Sequence, residues 1–305
     1  MSEQGKSWSK VLKPLQSGLD LDKITFDGER DMNKVLLKDE DFRAVRDEQA
    51  QRDVSYSARR NMLLTSVRLS PEVAPSVFAC LDACRAALKL DGEIEVYVNA
   101  SADMNAFAVT KPQSGITCIS FSSATLENLD DLELRWVMGH ELGHSLNDHF
   151  VIPHSVLMDD NRISLLHVMQ YYAWKRYAEL TCDRYGLLCC NDLEAAVRTL
   201  FKMSSGLTSA RWLNDATKSI LQRAAQDAAQ IDTQDADDWY STHPYSPLRV
   251  KALESFVRST TYFALRGEEG GTLSEAKLEA EVAKIVDLMN PALLNESFSC
   301  KKELR

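Results

Sequence analysis

The sequence predicts an α+β fold, mostly helical, with a small sheet set beside one motif-bearing helix. Three observations predict it. Long stretches with apolar residues at helical spacing fill most of the chain beyond residue 130. Between residues 94 and 121 short extended segments follow one another instead, the first alternating apolar and polar residues. Turn residues separate the two kinds of segment, as an α+β arrangement requires.

In chain order, residues 1–54 are polar and charge-rich, with acidic and basic side chains mixed from Asp27 to Asp53. They read as a partly helical N-terminal arm that docks on, or covers, the main domain. Ser70-Pro71-Glu72 is expected to open a helix, with Ser70 as cap and Pro71 in the first turn. Val77, Leu81, Cys84 and Leu88 keep one of its faces apolar, and Asp91-Gly92 should stop it. Ile94, Val96 and Val98 then alternate with polar neighbours, the period of a half-buried strand. Further extended pieces cover Ala106–Val109 and Ile116–Phe121, with Lys111–Gly115 as the turn between them.

Asp130 or Asp131 caps the next helix, which carries the central motif. A long helical run from Ile163 to Cys190 comes after it, then segments over Asp192–Met203 and Ala210–Ile231. The acidic loop Asp232–Asp238 leads to a helix from Pro247 to about Phe263. Gly267–Gly271 reads as a linker and Ser274–Met289 as an acidic amphipathic helix. The expected divisions are an arm (1–54), a main domain (55–265) and a C-terminal linker with helix (266–305).

The chain has 305 residues and a net charge of −10, which argues against nucleic acid as a partner. Lys6, Lys10 and Lys13 interrupt any signal-peptide core, and no apolar run is long enough to span a membrane. The expectation is a soluble, cytoplasmic protein. Seven cysteines without framework spacing read as buried small hydrophobes.

The chemistry centres on His140-Glu141-Leu142-Gly143-His144. Residues four apart on a helix share a face, so both imidazoles can reach one ion. Glu141 lies beside the first ligand and can take a proton from an attacking water whose acidity the ion raises. Gly139 and Gly143 would let another element approach closely. Thirty-five residues after His144, Glu179 offers a carboxylate from a second helix, completing two histidines and one glutamate around an open position. Asp183, four residues on, can accept the outer N–H of a ligand histidine and fix its tautomer. His243, held by Pro244, could donate to the oxyanion of a tetrahedral intermediate. His149, His154 and His167 lie off the motif spacing and read as solvent or core residues.

These motifs together resemble the HtpX-like and CAAX-prenyl-endopeptidase family of gluzincin metallopeptidases. In that family a Gly-His-Glu-Leu-Gly-His helix precedes a Glu-x-x-x-Asp helix and a Thr-His-Pro segment with an arginine after it. Here those are Gly139–His144, Glu179 with Asp183, and Thr242-His243-Pro244 with Arg249. Asn105-Ala106-Phe107-Ala108 is similar to the family's segment ahead of the active-site helix, and the resemblance runs from Arg59 to Phe263.

The resemblance implies a zincin fold holding one zinc ion on His140, His144 and Glu179. It implies Glu141 as general base and later proton donor, and His243 as a transition-state contact. Arg249 would pair with Asp183 or buttress the site. Asn105, Ala106, Phe107 and Ala108 would form the edge onto which a protein or peptide substrate adds. Well-known members are membrane-embedded, whereas here the run from Ser164 to Tyr177 contains His167, Gln170, Lys175 and Arg176. A soluble endopeptidase in protein quality control is therefore expected. It would be latent if the arm or the C-terminal helix lay across the cleft. The alternatives are a zincin-fold chaperone or adaptor without turnover, and a zinc hydrolase of non-peptide substrates.

Overall fold

The computed structural model describes residues 16–51, 54–110, 116–150, 157, 160–213, 216–228 and 241–290. The expected turn at 111–115, the acidic loop 232–238, His154 and Cys300 lie outside the described residues, as do the arm's first residues and the C-terminal end.

The chain begins with strand β1 (Gln16–Ser17), then helices α1 (Leu21–Ile24), α2 (Asp27–Leu36), α3 (Glu40–Gln51) and α4 (Val54–Thr65). The described part of the arm is thus mostly helical and docks on the main domain. Ile24 and Phe26 belong to the main apolar core. Met32, Leu36 and Phe42 pack in a second cluster with Tyr171, Tyr172 and Trp174.

Next come β2 (Val67–Arg68), α5 (Pro75–Leu88), β3 (Leu90–Asp91), β4 (Ile94–Asn99), β5 (Ala106–Thr110) and β6 (Thr117–Ser122). Helix α5 starts later than the Ser70-Pro71 signal suggested. The amides of Val73 and Ala74 both bond to the Ser70 carbonyl, closing a turn, and Pro75 occupies the first helical turn instead. Lys89 ends the helix in the left-handed region, with φ 51°.

The strands form a mixed sheet in the order β2-β4-β6-β5, with β4 and β6 parallel and both outer pairs antiparallel. The period-two alternation sorts its faces. Val96, Ala108, Ile119 and Phe121 point into the main core, whereas Tyr97 and Cys118 are covered from the other side by Met62 of α4.

The helical part comprises α6 (Ser123–Asn128), α7 (Asp131–Leu146), α8 (Leu165–Cys190), α9 (Leu193–Ser205), α10 (Ala210–Leu213), α11 (Ala216–Ala228), α12 (Ser246–Val257), α13 (Thr260–Leu265) and α14 (Glu275–Asp287). The single helix expected from Pro247 to Phe263 is divided at Ser259. Its hydroxyl accepts the Tyr262 amide and caps a new helix. Within the segment expected over Ala210–Ile231, the described residues are helical over Ala210–Leu213 (α10) and Ala216–Ala228 (α11). Leu278, Val282, Ile285 and Val286 bury the apolar face of α14 in the main core.

Helices α7 and α8 lie unusually close. A Cβ on Gly139 would stand 2.6 Å from Cys189 Sγ and 2.9 Å from the Tyr185 carbonyl; one on Gly143 would meet the Tyr185 ring at 2.9 Å. The missing side chains let α8 approach the motif helix, which brings Glu179 within reach of it. The six described cysteines are free and buried. Among the described residues no helix is long and apolar enough to cross a membrane.

Candidate metal centre

Helix α7 is anchored where it starts. Asp130 Oδ1 accepts the Leu132 and Glu133 amides at 3.0 Å each, and Glu133 Oε2 accepts the Asp130 amide at 2.8 Å, a reciprocal capping box. Glu133 is fully buried, with Lys202 Nζ at 2.6 Å and Arg198 Nε at 3.2 Å. Two turns further on, the helix points His140 and His144 toward α8. Their Nε2 atoms are 3.2 Å apart.

Glu179 of α8 meets both rings. Its Oε2 lies 3.3 Å from His140 Nε2 and its Oε1 3.4 Å from His144 Nε2. Glu179 Oε2 is buried and accepts no hydrogen bond among the described residues. Donors bound to zinc at about 2.0–2.1 Å in a tetrahedron stand about 3.3 Å from one another. The three edges measured here are 3.2, 3.3 and 3.4 Å, so the donor set fits one small divalent ion.

Burial opposes charge on Glu179, yet the facing imidazoles hold its carboxyl well below the usual range. Burial likewise works against a charged His140, but Asp183 and Glu179 outweigh it and carry its pKa to about 9. Burial takes His144 down to about 3 despite Glu179. Glu141 is pushed up to about 7, chiefly by burial, with His140 and a backbone hydrogen bond from Ala108 pulling the other way.

Behind His140, Nδ1 lies 3.0 Å from Asp183 Oδ1. Arg249 grips the same carboxylate, and its guanidinium also sits 5.6 Å from the Trp136 ring centroid. His243 is largely exposed, with Nε2 3.5 Å from Glu179 Oε1 and Nδ1 2.8 Å from Thr242 Oγ1. Asn105 is tied to Ser122 and Thr125, and its Oδ1 accepts the Ala106 amide at 2.9 Å. Ala106, Phe107 and Ala108 belong to β5, the outer strand of the sheet, and Phe107 is exposed. His140, His144, Glu179, Asp183, Arg249 and His243 thus gather around one point, and the Ala108 backbone of β5 bonds to Glu141.

Four residues of the site carry no signal in the sequence. His149, grouped above with solvent or core histidines, is fully buried and its Nδ1 lies 2.9 Å from His144 Nδ1. Its Nε2 lies 2.8 Å from Glu29 Oε1, and Thr181 donates to Glu29 Oε2. Arg176 donates to the Ser241 carbonyl at 2.9 Å, supporting the segment that carries His243. No periodic pattern links these residues, and nothing in the sequence sets Glu29 apart from the other acidic residues of the arm.

A second donor group, His144 with His149 and Cys182, also lies close together. Burial and the surrounding carboxylates push the Cys182 thiol well above its ordinary range. His149 is already engaged at both ring nitrogens, by His144 and Glu29, whereas Glu179 Oε2 is buried without a hydrogen-bond partner among the described residues, so His140, His144 and Glu179 are the better set.

A model of peptidase family M48 matches residues 76–257. The chain is 28% identical over 190 residues to a protein of Arabidopsis thaliana named plastoglobule-localized metallopeptidase 48, chloroplastic. That alignment covers 56% of this chain and 54% of the relative, so the chain spans about half of that protein's length. No solved structure matches the chain.

Proposed function

Because the chain belongs to peptidase family M48, and is therefore a metallopeptidase, we propose that it is a zinc-dependent endopeptidase acting on protein substrates. The observation that carries this reading is the triangle of His140, His144 and Glu179, whose edges suit one tetrahedral ion, with Glu141 buried beside it. His2Glu with one open position is the donor set of hydrolytic zinc.

Zinc held there would supply Lewis acidity, raising the acidity of the attacking water and polarising the scissile carbonyl. The rest is done by side chains. Glu141, buried beside the ligand set, accepts the water's proton and returns it to the leaving amine. Asp183 accepts the outer N–H of His140 and, fixed by Arg249, keeps that ring's free nitrogen facing Glu179. His243, with Nε2 3.5 Å from Glu179 Oε1, is our candidate donor to the developing oxyanion.

The outer edge of β5 offers main-chain groups to an extended peptide beside Glu141. Such binding makes little side-chain demand, which suits the broad substrate range of protein quality control. A cytoplasmic compartment is our proposal from the cysteine usage, whereas the Arabidopsis relative is named for the chloroplast plastoglobule.

The test is cleavage of unfolded, fluorescently labelled casein by wild type, Glu141→Gln and a chelated sample. We expect turnover by wild type alone, recovered when zinc is returned to the chelated protein. A folded, zinc-loaded wild type that cleaves nothing would favour the chaperone or adaptor reading.

A further inference from the structure

We propose that Glu29, acting through His149, sets the ring tautomer of His144 and so turns that histidine's free nitrogen toward the metal. The proposal rests on the reading of His140, His144 and Glu179 as the metal ligands. Glu29 lies on α2, outside the residues 76–257 that match the family, so the N-terminal arm contributes a positioning residue to the site.

Counting protons along one buried chain gives the assignment. The Thr181 hydroxyl oxygen accepts the Phe26 amide at 3.2 Å, so its own hydrogen is free to go to Glu29 Oε2. Glu29 as a carboxylate can only accept, so the contact at Oε1 requires the proton on His149 Nε2, 2.8 Å away. Within the proposal His149 carries that proton alone, so its Nδ1 presents a lone pair. The 2.9 Å contact between the two Nδ1 atoms then needs an N–H on His144. Cys182 Sγ, 3.5 Å from the same His149 nitrogen, is a weaker and more distant donor. That leaves the lone pair of His144 on Nε2, the atom facing His140 and Glu179. Asp183 does the same for His140 directly. The two ligands are thus each backed by a carboxylate, one at first hand and one through a second imidazole.

The surrounding structure holds this chain in place. Asp148, with φ 57°, turns the backbone just past α7, and the His149 amide bonds back to the His144 carbonyl at 3.1 Å. His149 is thereby folded under the ring it contacts. The arm is clamped from the other side by Arg184, which donates to the Ile24 carbonyl at 2.9 Å and lies 3.1 Å over the Phe26 ring. Arg184 is itself paired with Glu279 of α14, which also accepts the Asp27 amide.

The test uses full-length wild type, Glu29→Gln, Glu29→Asp and, as a control for arm docking, Glu279→Gln. Three quantities are read: the histidine tautomers by 15N spectra of the metal-free proteins, zinc affinity by competition with a chromophoric chelator, and the urea midpoint. We expect Nδ1–H on His144 in the wild type. Glu29→Gln should give mixed tautomers and bind zinc roughly 10- to 100-fold more weakly, with Glu29→Asp recovering part of the loss. Glu279→Gln should lower the urea midpoint while keeping the wild-type tautomer and zinc affinity.

Wild-type tautomer and zinc affinity in Glu29→Gln would overturn the proposal and leave Glu29 a purely structural residue. An Nε2–H tautomer on His144 of the metal-free wild type would overturn it even if the variants do not fold. A wild type that binds no zinc would overturn the metal reading and this proposal with it. That outcome is distinct from the failure of the proposal alone, in which the wild type binds one zinc and Glu29→Gln binds it as tightly.

Discussion

Arg249 holds Asp183 by both arms of its fork: Nε donates to Oδ2 at 2.9 Å and Nη2 to Oδ1 at 2.5 Å. The same Oδ1 also lies 3.0 Å from His140 Nδ1. Asp183 is buried, and Arg249 keeps its carboxyl below the usual range despite that burial. One carboxylate thus couples a cation from α12 to a metal-ligand candidate on α7.

Arg249→Lys removes the fork while keeping the charge. A single ammonium cannot hold both carboxylate oxygens, so Asp183 loses its fixed orientation. We expect zinc affinity to fall by roughly 10- to 100-fold, measured by chelator competition. Arg249→Ala should additionally cost about 3–5 kcal/mol of stability, because it strands a buried carboxylate. Unchanged zinc affinity in both variants would remove Arg249 from the site.

Gly139→Ala tests the close contact of α7 and α8. The new methyl would meet the Tyr185 backbone carbonyl at 2.9 Å, which cannot yield unless α8 moves. The gain in helix propensity, about 1 kcal/mol, is smaller than the overpacking cost, about 1–3 kcal/mol. We expect a lower melting temperature and weaker zinc binding together, since α8 carries Glu179. Should melting rise instead, the helices have room that the structure does not show.

Glu133→Ala removes the shared partner of Lys202 and Arg198 and one half of the capping box. Lys202 is itself buried. Breaking such a pair costs about 3–5 kcal/mol, read from urea unfolding. Metal affinity of the folded fraction should be preserved, because Glu133 lies two turns from His140. A loss under about 1 kcal/mol would mean that water replaces the lost carboxylate.

Glu95 sets an acid dependence of stability. Arg59 grips its carboxylate with two nitrogens at 2.8 Å each and, against the opposing effect of burial, holds its pKa at about 2 instead of the ordinary 4.5. A carboxyl depressed in the folded state contributes stability that is full above the unfolded pKa and lost as pH falls toward the folded one. The stability difference between wild type and Glu95→Gln should therefore be constant at neutral pH and shrink between about pH 4.5 and 2. A difference independent of pH across that window would show that the pair contributes no net charge effect.

Much of this architecture was legible in the residues. The strand over 94–99 came from period-two alternation, the extended pieces expected over Ala106–Val109 and Ile116–Phe121 are strands over 106–110 and 117–122, and the start of α7 came from the capping aspartate. Family membership came from ordered motifs, and the family model matches within the span those motifs covered. The start of α5 and the break at Ser259 were not legible. Ser70 and Ser259 are both good caps by type, and the hydrogen bonds that decide between a turn and a helix depend on neighbours brought in by the fold.

The sequence by itself determined the helix bearing His140, Glu141 and His144, because residues four apart share a helical face whatever surrounds them. It also placed Glu179 and Asp183 on a common face of a second helix. Only the tertiary structure decided that Glu29, 120 residues from His149, would stand behind His144. Local periodicity reports which face of an element is buried. Which buried polar group another will meet is decided by packing, because a carboxylate and an imidazole taken out of water must find each other wherever the chain brings them.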